Sequence, residues 1–438
     1  MRFLKELFGK YNWLTWWLTA FFFLVPWQTH YLFATTLIGG ISSPFGDVSL
    51  YATEVFLWVG VLASYVRKQD RPEFDSSSKK PLLFAALVFV VATLSVMGSA
   101  HESISFAVLM HLASALAVFV MLLNKKVEWR PILAGFGLGL VVPAMVGVWQ
   151  IVVDWSPAST IFGLASRDAN NLGDAITLKN GVRELRAYGS FSHPNIFAGY
   201  LAVGALCLRT LLIRVQKGSY RRFLLISMLL LTVLLVYTGS RSAMLGLLLG
   251  IGLAAFVTYF KNTAKARILV VPIALVVIGG ALLGTFFAPN IAASIRGGGV
   301  FEDQSLTDRV AQYTAYPTIM TRGVGEWLVG TGLGTYTANW ESVQPGLPAW
   351  SYEPIHSIPL LILSEIGLLG LLAVLLWASS IDNINFARFP NHDALMAFAM
   401  GNVVLVILFF DHYIWSSYSG LVLIAFVMAL TVRMGEKN

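Results

Sequence analysis

Charge is what this chain has least of. Asp, Glu, Lys and Arg make up 12% of its 438 residues, against about 25% in a soluble globule. Hydrophobic residues reach 57% and the mean hydropathy is +0.71, so a water-soluble fold is excluded. Cysteine is nearly absent as well. Cys207 stands alone, which rules out an intramolecular disulfide and reads as a small buried apolar residue. The sequence also lacks Cys/His metal spacing, a Walker loop, a dinucleotide fingerprint and an internal repeat. An Asp-x-Asp triplet is missing too, and Glu302-Asp303 is the nearest acidic pair. No metal and no cofactor are therefore expected.

What the chain has in quantity is long apolar runs. A helix that crosses a bilayer needs about 20 apolar residues. Twelve runs qualify, at 13–30, 48–66, 81–99, 104–123, 131–153, 191–213, 222–237, 241–260, 267–288, 358–378, 393–411 and 413–432. The expected fold is an all-α polytopic membrane protein, with residues 1–438 as a single membrane domain. No small-residue cleavage site precedes the first run, which reads as a retained helix and not a signal peptide. With the N-terminus inside, 22 of the 30 lysines and arginines fall on inner segments and 8 on outer ones. This follows the positive-inside rule. The net charge of +7 thus reflects topology and contact with anionic lipid, not nucleic acid. Both termini are expected in the cytoplasm. Two long extracytoplasmic loops remain, 154–190 and 289–357, the larger containing short helices. Thr307 is a suitable N-cap for one over 307–321, with Leu306, Val310 and Tyr313 on one face.

The eight outward cations are Arg167, Lys179, Arg183, Arg186, Arg241, Arg296, Arg309 and Arg322. Three basic residues recur at equivalent places. His193 precedes Pro194, Arg241 follows Ser240, and His356 precedes Ser357 and Pro359, each at the outer start of a span. Helix N-termini favour anions, and arginine adds bidentate donors suited to phosphate. The arrangement points to a diphosphate headgroup at the outer leaflet, with Arg309 closing the site. Plainer readings stand beside it. Arg241 could snorkel to the interface, Arg309 could pair with Asp308 or Glu302, and His193 and His356 could be helix-start or interfacial residues. Arg183 and Arg186 could be loop charges; Arg167, Lys179, Arg296 and Arg322 read as surface charges. Two carboxylates, Glu54 and Glu365, fall within spans, where a carboxylate defaults to functional or structural pairing; Glu365 reads as structural, pairing across helices.

Four segments, Gly189-Ser-Phe-Ser-His-Pro-Asn-Ile-Phe-Ala-Gly199, Thr238-Gly-Ser-Arg-Ser-Ala-Met244, Gly330-Thr-Gly-Leu-Gly334 and His356-Ser-Ile-Pro-Leu-Leu-Ile-Leu-Ser-Glu-Ile-Gly-Leu-Leu-Gly370, resemble the O-antigen ligase and polymerase superfamily. Their order and spacing fit over residues 185–375. The resemblance implies a bacterial inner-membrane glycosyltransferase acting on the periplasmic face. Its donor would be a glycan on undecaprenyl diphosphate, and its acceptor a lipid A–core sugar or similar envelope glycan. The family's essential arginine corresponds to Arg241, its loop arginine to Arg309 and its histidine to His356. The chain departs from the family in having Ser357 where Asn often follows the histidine. Arg241 and Arg309 would stabilise the leaving diphosphate, and His356 would act as general base. Arg183, Arg186 and His193 would bind substrate. Inversion follows from a single in-line displacement. A repeat-unit polymerase is the alternative. A glycolipid transporter would distribute charge through the spans, whereas here it gathers at one rim.

Overall fold

The computed structural model describes residues 11–67, 70–171, 173–179, 181–261, 300–320, 323–381 and 392–435. The fold is mostly helical. It opens with α1 (Trp13–Leu24), a β-hairpin of β1 (His30–Ile38) and β2 (Ile41–Tyr51), and α2 (Ala52–Val66). Helices α3 (Lys79–Met97), α4 (Glu102–Leu123), α5 (Trp129–Gly139) and α6 (Val141–Val153) follow. Four short strands come next, β3 (Trp155–Ser156), β4 (Arg167–Asp168), β5 (Ile176–Lys179) and β6 (Val182–Leu185), then α7 (Pro194–Leu212), α8 (Ser219–Tyr237) and α9 (Arg241–Lys261). The last third holds α10 (Val300–Ile319), α11 (Val324–Val329), α12 (Tyr336–Val343), α13 (Ile358–Ile381), α14 (His392–Phe410), α15 (Tyr413–Ser416) and α16 (Tyr418–Gly435).

Among the described residues, eight helical segments are long and apolar enough to cross a membrane, α5 and α6 counting as one span; three apolar helices (13–24, 52–66 and 418–434) are shorter. These helices make the chain a polytopic integral membrane protein. The expected span at 267–288 lies outside the described residues. The expected span at 131–153 is present as one crossing, Trp129–Val153, with a turn at Leu140 between α5 and α6, whereas the one at 413–432 is broken at Ser417 into α15 and α16. The all-α expectation needs correcting at the loops, which carry three two-stranded antiparallel sheets. The loop over 154–190 contains two of them. The third, β1–β2, turns at Gly39-Gly40 in a segment expected to be a plain connection. The expected helix at 307–321 is present but begins at Val300, so Thr307 lies in its interior and is not the cap.

Helix α7 runs through the centre, with nearly every side chain buried. The apolar core is continuous from α1 to α16. The carboxylates Glu54 and Glu365 both pair across helices, as expected for Glu365. Glu54 accepts from His111 at 2.9 Å, and Glu365 from the Trp415 indole at 2.8 Å.

The Gly330-Thr-Gly-Leu-Gly334 segment binds the outer loop to α13. Thr331 and Gly332 donate their amides to the Ser364 and Glu365 carbonyls at 3.0 and 3.1 Å. Gly330 has φ +81° and Gly367, opposite it, φ +70°; a Cβ on Gly330 would lie 2.2 Å from the Glu365 carbonyl oxygen. Only glycine fits. Gly330→Ala is expected to destabilise the protein by about 1–3 kcal/mol from backbone strain alone, read as a lowered melting temperature in detergent. An unchanged melting temperature would show that the turn can relax.

Candidate functional site

The site forms where the N-termini of α7, α9 and α13 meet the C-terminus of α14. It is organised by Asp411, which is 2% exposed. Its Oδ2 accepts from Asn195 Nδ2 at 2.7 Å and its Oδ1 from the His412 amide at 2.8 Å. Asn195 Oδ1 in turn accepts from Arg186 Nη2 at 2.8 Å. Arg186 Nε donates to the Thr238 carbonyl at 2.6 Å, and its guanidinium packs against Gly239. A relay of hydrogen bonds therefore joins the Thr238-Gly-Ser-Arg segment, the Ser-His-Pro-Asn helix start and the α14–α15 turn.

His356 lies on this cluster. Its Nδ1 is 2.8 Å from Gln312 Oε1. An amide oxygen only accepts, so Nδ1 carries the proton and Nε2 is left as the basic nitrogen. The His356 and His412 rings meet edge to face, with centroids 5.0 Å apart. His412 Nδ1 is paired with the Ser416 hydroxyl at 2.7 Å, and its ring touches Phe45 of β2. Gln312 and Arg309 are both on α10, so the large loop supplies one wall of the site. Among the described residues, Arg309 Nε is buried without a hydrogen-bond partner. A buried donor left unpaired costs roughly 1–3 kcal/mol, so this position suits an incoming acceptor oxygen.

Electrostatics follow from burial and mutual proximity. Burial lowers Arg186 to about 10, opposed by Tyr188 and Asp411 and reinforced by Arg241. Arg241 therefore lies within electrostatic range of Arg186; it is exposed, at the first position of α9. Burial, His412 and Arg309 push His356 down to about 3, against the pull of Asp411. His412 is lowered by burial, with Asp411 opposing. Burial pushes Asp411 upward, but His412, His356 and His193 outweigh it and hold the carboxyl below the usual range.

The sequence-derived candidates separate. His356, Arg309, Arg186 and Arg241 converge. His193 is the N-cap of α7, its Nδ1 accepting from the Asn195 amide at 3.1 Å, and it too lies within electrostatic range of Asp411 and Arg186. Arg183 instead fastens the loop over 154–190, donating to the Ala169 and Asn171 carbonyls at 2.6 and 3.0 Å. Arg167 pairs with Asp174 at 2.8 Å and stacks over Tyr188. Arg296 and Arg322 lie outside the described residues, as does the Lys179 side chain. Sequence reasoning passed over Asp411, His412, Asn195 and Gln312. An acidic-basic pair between two apolar runs was the available signal for the first two.

His356, Asp411 and His412 are also, among the described residues, a group whose ligand atoms lie within 4.8 Å of one another. They fit a cation poorly. Both Asp411 oxygens already accept hydrogen bonds, and Arg186 and Arg309 bring positive charge to the same place.

Because His356 sits at about 3, well below the usual 6.5 or so, its ring is expected to stay neutral from pH 5 to 8, as the Nδ1–H tautomer. Nitrogen-15 NMR of labelled histidine checks this. A His356 titration midpoint near the ordinary value would contradict the burial and cation proximity described above. Gln312→Ala is expected to release the tautomer preference.

No curated protein matches the chain. Residues 226–375 match a protein-family model described as O-antigen ligase. That stretch runs from α8 through α13 and contains Arg241, Arg309 and His356, so over about a third of its length the chain is similar to O-antigen ligases.

Proposed function

We propose that the protein is an O-antigen ligase-like glycosyltransferase. It moves a glycan from undecaprenyl diphosphate to a sugar hydroxyl of lipid A–core or a similar envelope acceptor, on the periplasmic face of the bacterial inner membrane. The observation that carries this reading is the pairing of an unpartnered Arg309 Nε with a His356 ring whose Nε2 is left basic by Gln312. One group meets a phosphate oxygen; the other meets a hydroxyl proton.

The acceptor oxygen attacks the anomeric carbon from the face opposite the diphosphate. The new C–O bond forms as the bond to the diphosphate breaks, and the leaving oxygen keeps the electron pair. Fixed guanidinium groups stabilise that growing charge without reorganising. The acceptor proton passes to His356 Nε2. Burial, then His412 and Arg309, disfavour a protonated His356. A bound diphosphate offsets the Arg309 field and raises the proton affinity of the ring as the reaction needs it. Single displacement inverts the anomeric centre. No metal takes part in this scheme.

Reconstitution with undecaprenyl diphosphate glycan tests the reading. His356→Ala is expected to lower kcat by about 10²–10⁴-fold, the usual contribution of a general base; full activity would remove His356 from that role. Arg241→Lys is expected to lose at least about tenfold, or ~1.4 kcal/mol, since an ammonium cannot bind bidentately. Near-normal turnover would assign Arg241 to interface anchoring instead. EDTA is expected to leave transfer intact, and loss of activity restored by magnesium would overturn the metal-free scheme. Supplying lipid A–core or a second lipid-linked repeat unit as acceptor separates ligase from polymerase.

A further inference from the structure

Helix α10 has two working faces. Arg309, Gln312, Tyr313 and Tyr316 form one stripe. Gln312 bonds His356 at 2.8 Å, the Tyr313 hydroxyl reaches the His356 carbonyl at 3.5 Å, and the Tyr316 hydroxyl donates to the Leu360 carbonyl at 2.8 Å. Ala311, Thr314, Ala315 and Thr318 form a second stripe with the same helical spacing. The two are offset by two residues, about 200° around the helix, so they point to opposite sides. The first faces the reacting cluster. The second lines a cleft of about 500 Å³, within the range of about 300–1,000 Å³ of small-molecule sites.

The far wall of the cleft is Trp340 and Gln344 of the α12 segment, with Ser351 from the turn beyond. That wall is built before any ligand arrives. The Tyr352 hydroxyl donates to the Gln344 carbonyl at 2.8 Å and accepts from the Leu347 amide at 3.0 Å, and the Trp340 and Tyr352 rings meet edge to face. Glu341 of α12 also accepts from the Gly39 amide at 2.9 Å, pinning the tip of the β1–β2 hairpin to the same wall.

The lining is distinctive in its chemistry. Among the described residues that form it, none is charged, although the same loop carries Arg309, Glu341 and Glu353. Threonine and serine hydroxyls and a glutamine side chain share the lining with apolar groups, the Ala311 and Ala315 methyls, Val343, Leu347 and the Trp340 indole. A phosphate would find no cation here, and a lipid tail would dehydrate the hydroxyls. A neutral sugar presents hydroxyls and C–H faces together, which matches the lining.

We propose that this cleft is a saccharide subsite that holds the glycan of the donor, one helix away from the diphosphate. The proposal rests on the transferase reading and names where the sugar chain lies. Two variants test it. Thr314→Trp fills the cleft from an exposed helix position, and Gln344→Ala removes one hydrogen-bonding side chain without adding bulk. The probe is the cell's own lipid-linked glycan, used intact as donor and, after mild acid release, as a free oligosaccharide. Binding of the free oligosaccharide by saturation-transfer NMR is expected for the wild type and lost in Thr314→Trp. With the intact donor, both variants are expected to raise KM by about tenfold or more, equal to about 1.4 kcal/mol, with kcat within about twofold of the wild type. A donor carrying a single sugar is expected to lose this KM penalty. Wild-type binding and KM in both folded variants would overturn the subsite. So would an equal penalty on the single-sugar donor. Free-oligosaccharide binding is read without turnover, so a wild type that binds but transfers nothing would sink the transferase reading and leave the cleft standing.

Discussion

The site depends on one buried carboxylate. Asp411 lies between α14 and α15 in a region almost without other negative charge, and both of its oxygens are engaged. Through Asn195 it fixes Arg186, and through Arg186 it reaches the Thr238 carbonyl. Three segments far apart in sequence are thus held to one geometry by a chain of charge-assisted hydrogen bonds. Such bonds are stronger than neutral ones, and the low dielectric of the surroundings strengthens them further. The same dielectric makes the arrangement intolerant of a missing member. An unpaired Asp411 or Arg186 would be a buried charge without compensation.

Around this fixed centre the outer loop supplies parts that the helix bundle cannot. Transmembrane helices bring backbone N-termini and a few side chains to the rim, but they cannot close over it. Helix α10 does so, bringing Gln312 and Arg309 to His356. The turn at Gly330 and its contact with the Glu365 carbonyl fix where the loop leaves the membrane. The β1–β2 hairpin reaches in from the other end of the chain, with Phe45 against His412 and Gly39 against Glu341. The loop is therefore held at several points, which suits a site in which catalytic groups must keep their geometry to within fractions of an ångström.

Much of the bundle was legible because an apolar run near 20 residues matches the thickness of a bilayer and exceeds what most buried core helices need. The helix starts at Pro194 and Arg241 were legible from local chemistry, a cap residue or a Ser-Arg step at the end of an apolar run. The hairpin was not, although Gly39-Gly40 between aromatic and β-branched residues is a recognised turn signal. Hydropathy dominated the reading there and left the segment as a connection. The turn at Leu140 was also hidden, since hydropathy does not fall there, whereas the polar Ser416-Ser-Tyr-Ser419 stretch marks the break at Ser417. Asn195 and Gln312 could not have been ranked from sequence. Each matters for a long-range partner, and no spacing rule relates position 195 to 411 or 312 to 356.

The outward cations, alike in sequence, differ in what the fold gives them. Arg167 has Asp174, Arg183 has two loop carbonyls, and Arg186 has Asn195 and the Thr238 carbonyl. Arg309 has a buried Nε with no partner. At the cluster itself, Arg186, Arg241 and Arg309 meet a single described carboxylate, Asp411, while the histidines are held neutral. Positive charge is therefore in excess where Arg186 and the Arg309 Nε are buried, with Arg241 exposed at the edge. Hydrophobic packing alone does not favour that arrangement, because desolvating a cation without a counter-charge is costly. The cost is offset when a dianionic group arrives, and the same arrival weakens the Arg309 contribution to the lowering of His356, which burial and His412 lead. Binding of the leaving group and the proton affinity of the base are thus electrostatically linked, and both depend on the geometry that Asp411 imposes.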